Sequence, residues 1–113
     1  MNNLITINGA TIRQYERELY CVNDLHKASG GEEKHKPFNW MRAKSTQTLI
    51  NKLPKPRHEI VSVVRGGTTQ GTFVCKELVF AYAMWVSPEF FIRVLAECPM
   101  IFSLRSSAEQ EGL

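Results

Sequence analysis

Short β-branched runs open the chain, and helical apolar stripes fill most of its second half. Leu4-Ile5-Thr6-Ile7 and Ala10-Thr11-Ile12-Arg13-Gln14-Tyr15 flank Asn8-Gly9, a pair that tolerates positive φ, so residues 4–15 are expected to form a β-hairpin. Leu19-Tyr20-Cys21-Val22 predicts a further strand. Asn23 offers an N-cap, with Asp24 in the first turn, for a helix through Leu25 to Ala28; Gly30 suits the positive-φ position after its end. Glu32 to Lys36 is a polar loop, and Pro37 opens a helix carrying Phe38, Trp40 and Met41. Ser45 or Thr46 is expected as the N-cap of another helix, Gln47 to Leu53, whose Leu49, Ile50 and Leu53 form a core-facing stripe ended by Pro54 and Pro56.

The second half reads as strand, turn, strand, helix, helix. Glu59 to Arg65 is β-branched, Gly66-Gly67-Thr68-Thr69-Gln70-Gly71 is a flexible turn, and Thr72 to Cys75 returns. Lys76 to Val86 is apolar on most sides and predicts a central buried helix. Ser87-Pro88-Glu89 caps a following helix through Phe90, Phe91, Ile92, Val94 and Leu95. Pro99 breaks helical continuity, and Ser106 to Leu113 is expected to be a disordered tail. The pattern predicts an α+β domain over 1–98: an N-terminal hairpin, a central helical segment, a hairpin wing and two packed C-terminal helices. Residues 99–113 form the tail.

Composition narrows the function. The 113 residues fit one domain. No apolar run approaches the roughly 18 residues of a membrane span, and the start lacks signal-peptide character, so a soluble protein of the bacterial cytoplasm is expected, with no membrane partner. Cys21, Cys75 and Cys98 are widely spaced among apolar neighbours, which suits buried free thiols. His26, His35 and His58 lack metal-ligand spacing, so neither metal nor cofactor is expected. Zinc-protease and nucleophile-elbow motifs are missing, and Gly71 leads into Thr72-Phe73-Val74, a strand rather than the Lys-Ser/Thr and helix of a phosphate loop. No enzyme is expected.

Net charge is only +3, but its distribution is uneven. Lys34, Lys36, Arg42, Lys44, Lys52, Lys55, Arg57 and Arg65 face a single acid, Glu59, giving residues 34–65 a charge of +7 and the remainder −4. Such asymmetry suits one face meeting a polyanion. Lys36, Arg42, Lys44, Ser45, Thr46 and Gln47 lie at or before a predicted helix start, where free N–H groups and the dipole attract phosphate. Gln47 has the groups to pair with adenine N6 and N7, and Arg42 or Lys44 with phosphate or guanine. Arg65, Thr68, Thr69 and Gln70 rim a hairpin long enough to reach a neighbouring groove. These ten residues are the candidate contacts to double-stranded DNA. Capping by Thr46 and Gln47, and a solvated loop at the hairpin, remain the structural alternatives. The rival function is a protein-interaction module that binds a repressor or other regulatory protein without contacting DNA, through an apolar patch such as Ile101, Phe102 and Leu104.

Asn39-Trp40-Met41-Arg42-Ala43-Lys44-Ser45-Thr46, Gly71-Thr72-Phe73-Val74 and the block Leu78 to Phe90 resemble the KilA-N domain, and Tyr20 to Gly31 resembles its strand-to-helix entry. The resemblance covers roughly residues 5–97. It implies a DNA-binding domain of phages and large DNA viruses, related to fungal APSES regulators, in which helices and a β-hairpin wing approach DNA. Phage members often occur in antirepressor-like or other regulatory proteins, usually joined to a second domain. The resemblance also implies that Lys44 to Gln47 start a helix, that Arg65 to Gln70 form the wing, and that Trp40, Trp85, Pro88 and Phe90 are structural. The chain departs from the family at Glu97-Cys98-Pro99-Met100, which interrupts the last helix; a bare domain, a truncation or an altered C-terminus each fits.

Overall fold

Asn8 and Gly9 take φ of 53° and 84° and turn the chain between β1 (Ile5–Ile7) and β2 (Ala10–Ile12). The register pairs Ile5 with Ile12 and Ile7 with Ala10, so Ile5, Ile7 and Ile12 enter the core while Thr6 and Thr11 face water. A computed structural model describes residues 5–16 and 18–98. The expected tail, Pro99 and the patch at Ile101, Phe102 and Leu104 lie outside the described residues.

The first hairpin is shorter than its sequence pattern suggests. The chain bends at Arg13, and β3 (Gln14–Tyr15) leaves the hairpin to pair with β4 (Leu19–Cys21). A second sheet then runs in the order β3-β4-β6-β5, all antiparallel, using β5 (Val61–Val64) and β6 (Gly71–Val74). The break arises because the Arg13 backbone N–H donates to the Asp24 carboxylate, while its carbonyl accepts from Cys21 N. Both main-chain groups are thereby committed to partners outside the hairpin.

Among the described residues, five helices cover these sheets: α1 (Val22–Ala28), α2 (Pro37–Arg42), α3 (Lys44–Lys52), α4 (Lys76–Val86) and α5 (Pro88–Glu97), with 3-10 turns at Glu33–His35 and Arg57–Glu59. The architecture is therefore α+β, as the residue pattern predicts. Helix α1 is central, touching β2, β6, α2 and α4. It starts directly after β4, so Asn23 lies inside its first turn and is not the N-cap. Gly30 and Gly31 follow its end with positive φ. Ser87 caps α5 as expected, its Oγ accepting from Phe90 N at 3.0 Å.

An aromatic cluster joins the two halves of the molecule. Trp40, 2% exposed, meets Tyr82 edge-on at 5.2 Å, and the Tyr82 hydroxyl donates to the His35 carbonyl at 2.6 Å. These contacts hold α2 and the turn before it against α4. Trp85 departs from the buried reading: it rests against the His35 and Tyr82 rings yet is 36% exposed, and neighbouring Met84 is 57% exposed. Trp40 and Phe90 are core residues as expected. Cys21, Cys75 and Cys98 are free and buried, and burial pushes the Cys98 thiol up to about 11. No helix among the described residues is long and apolar enough to cross a membrane.

Candidate nucleic-acid interface

Helices α2 and α3 are separated by one residue. Ala43 takes an extended conformation (φ −64°, ψ 141°), which ends α2 and serves as the N-cap position of α3. Neither Ser45 nor Thr46 caps the helix; both lie in its first turn, and no side chain caps it. The first amides of α3 are thus left with the positive end of the helix dipole, beside exposed Lys44 and Ser45. Thr46 points inward at 3% exposure and lines a cleft with Trp40, Leu49, Ala81, Met84 and Trp85. This burial leaves it no surface to offer a duplex.

Gln47 is exposed, but half of its amide is committed. Its Nε2 donates to the Met41 carbonyl at 2.7 Å, satisfying a C-terminal carbonyl of α2 and joining the two helices. Only a donor suits that carbonyl, so Oε1 is the group that faces outward. Two-point pairing with adenine would require the Met41 bond to break; as it stands, Gln47 presents an acceptor suited to an exocyclic amine.

The basic segment is partly neutralised by acids outside it. Lys34 lies 3.7 Å from Glu32, Lys36 3.0 Å from Glu33, and Lys55 2.9 Å from Glu77. Burial disfavours both charges of the last pair, yet their mutual hydrogen bond and attraction outweigh it, holding Lys55 high and Glu77 low. Among the described residues, Arg42, Lys44, Lys52, Arg57 and Arg65 form no ion pair. Arg42 lies over the Phe38 ring at 5.2 Å, a cation–π contact that partly covers a ring still 67% exposed.

The hairpin wing is built from β5, β6 and the loop 65–70. Val64 pairs with Gly71, and Arg65, Thr68, Thr69 and Gln70 are all exposed. Gly66 and Gly67 take φ of 78° and 76°, so the tip needs residues free of a Cβ penalty. Gly71 is required for two reasons. Its φ is +153°, and a Cβ there would lie 3.2–3.3 Å from Cys21 Sγ, Arg13 Nη2 and Asn23 Oδ1.

Those three neighbours belong to a polar junction at the base of the wing. The Asp24 carboxylate accepts from Arg13 N and Nε, each at 2.9 Å, and from Nη2 at 3.4 Å. Arg13 Nη2 also reaches Cys21 Sγ at 3.1 Å, Nη1 donates to the Thr68 carbonyl at 3.2 Å, and the guanidinium lies 5.7 Å from the Phe73 ring centre. Asn23 Oδ1 accepts from Thr72 N at 2.8 Å. Burial alone would raise the Asp24 carboxyl, but the bonds from Arg13 outweigh it and hold it below its ordinary value. Arg13, Asn23 and Asp24 are absent from the sequence-derived site. A signal existed for Asp24: residues 24, 25 and 28 share one helical face, and the other two are apolar, so a carboxylate there requires a buried partner.

The KilA-N domain profile matches residues 3–103. Protein kilA of Escherichia phage P1 is 35% identical over 91 residues, covering 80% of this chain. The chain spans about a third of that relative's length, 34%. No solved structure matches. With a family match over most of its length, this chain belongs to the KilA-N domain family.

Proposed function

We propose that this domain binds double-stranded DNA in phage or prophage gene regulation within the host cytoplasm, as part of an antirepressor-like or related regulatory protein. The observation carrying this reading is the set of five cations, Arg42, Lys44, Lys52, Arg57 and Arg65, without an acidic partner among the described residues, on α2, α3, the following turn and the wing. None of these cations gives up an ion pair with a described residue on meeting phosphate. Lys36 can join them by exchanging its exposed contact with Glu33, since such pairs contribute little. Lys44 and Ser45 meet phosphate at the open start of α3, Gln47 offers Oε1 to a base edge, and Arg65, Thr68, Thr69 and Gln70 reach along the duplex from the wing. Thr46 supports this surface from beneath.

Neutralising five phosphates gives a slope of about −4.5 in log affinity against log salt concentration, because each releases roughly 0.9 counterion. Titration of a labelled duplex is expected to show it. Replacing Lys44 and Arg65 together by alanine should make the slope shallower by about 2 and weaken binding on every sequence. A flat salt dependence of the parent protein would exclude the reading.

The exposed Met84 and Trp85, on the rim of the cleft above Thr46, favour a second reading, in which the domain docks on a repressor without touching DNA. Binding to purified repressor in the presence of nuclease, together with no duplex affinity, would establish that alternative.

A further inference from the structure

The wing outruns the sheet that supports it. On the β4 side, β6 is paired only at Tyr20 with Val74 and Cys21 with Phe73, because the chain turns into α1 at Val22. The outer half of β6 and the whole tip therefore lack a neighbouring strand on that side. Two side chains replace it: Asn23 Oδ1 takes the Thr72 N–H that a strand carbonyl would have taken, and farther out Arg13 Nη1 takes the Thr68 carbonyl.

We propose that Arg13 is a positioning residue that holds the wing tip in its DNA-engaging orientation by linking the Thr68 carbonyl to the buried Asp24. Its guanidinium suits the task. Nε and Nη2 are fixed on the Asp24 carboxylate, the plane lies by Phe73, and Nη1 remains for the tip. A planar fork with several donors can serve both partners at once; a lysine amine on Asp24 cannot extend to Thr68 as well. A six-residue loop with two positive-φ glycines is otherwise free to sample many conformations, and ordering it on the duplex would weaken binding. The inference rests on the DNA-binding reading above.

The test uses Arg13→Lys, which keeps a cation for Asp24, in two backgrounds: the full chain, and a chain whose residues 65–70 are replaced by the tight turn Asn-Gly. Backbone 15N relaxation of the free protein is expected to show Thr68 to Gln70 becoming mobile in the full-length Arg13→Lys protein. Duplex affinity should fall about tenfold with an unchanged salt slope, as expected for lost preorganisation and not a lost phosphate contact. In the short-wing background the same substitution should change affinity less than twofold. An equal loss in both backgrounds, a slope shallower by about one, or a tip that stays rigid would each overturn the proposal. If the parent protein binds no duplex, the DNA-binding reading fails, and the relaxation data still decide whether Arg13 holds the tip. Should Arg13→Lys not fold, Arg13→Gln, with one amide donor for Asp24, takes its place under the same criteria.

Discussion

Replacing Trp40 by alanine is expected to destabilise the domain by about 3–5 kcal/mol, the range for removing a buried indole from a well-packed core. Total stabilities of such domains are about 5–15 kcal/mol, so the loss is a large share. The melting temperature should fall by about 15 °C, at roughly 4 °C per kcal/mol for a chain of this size. The reason is local. Trp40 is 2% exposed, packs edge-on against Tyr82, and is the buried aromatic of α2, a helix of only six residues. Helices this short have little stability of their own and depend on the face they bury. The functional consequence follows through Met41 and Gln47: when α2 loosens, the bond joining α2 to α3 loses its anchor, and the start of α3 is no longer held in place. Circular dichroism melts would check the stability, and a loss below about 1 kcal/mol would show that α2 is held by something other than this ring.

Asp24→Ala should cost about 2–3 kcal/mol. The carboxylate is buried and accepts from one backbone and two side-chain N–H groups of Arg13, so its removal strands a main-chain donor in the bend between the sheets. The cost stays below that of a fully buried pair because the Arg13 side chain is 38% exposed and can regain water. Asp24→Asn isolates the charge. The folded carboxyl lies below its ordinary 3.8, so its contribution is fully present above that value and is lost as pH falls through the lowered folded value. Urea unfolding between about pH 5 and pH 2 should therefore show a smaller acid loss in Asp24→Asn than in the parent. A residual slope is expected, since Glu77 is also held low by Lys55. Identical acid losses in the two proteins would mean that Arg13 and Asp24 are not coupled in solution.

Features governed by a few adjacent residues were legible in the sequence. The Asn8-Gly9 turn, Pro37 and Ser87 at helix starts and the span of α4 follow from positive φ, a missing N–H, a hydroxyl acceptor and an apolar run. Features decided by distant partners were not. Ser45 and Thr46 look like caps, yet Thr46 is drawn into the cleft beside Trp40 and Trp85, and Ala43 takes the cap position. Asn23 looks like a cap as well, but its oxygen serves Thr72, 49 residues away. Arg13 reads as an ordinary strand residue because nothing near it reveals that Asp24 and Thr68 will converge on it. The basic stretch from 34 to 65 was plain, whereas its partial neutralisation was only half visible. Lys36 and Glu33 have the spacing of a local pair, but Glu77 meets Lys55 only once α4 is in place.

The pairing of β4 with β6 also bears on the order of assembly. Cys21 meets Phe73 across roughly fifty intervening residues, whereas the wing's own turn spans six, from 65 to 70. Chain entropy makes the wider closure costlier by about 2 kcal/mol. The hairpin that reaches outward, like the β3–β4 pair, can thus form early by itself, and the long closure onto β4 has a ready-made edge to recognise.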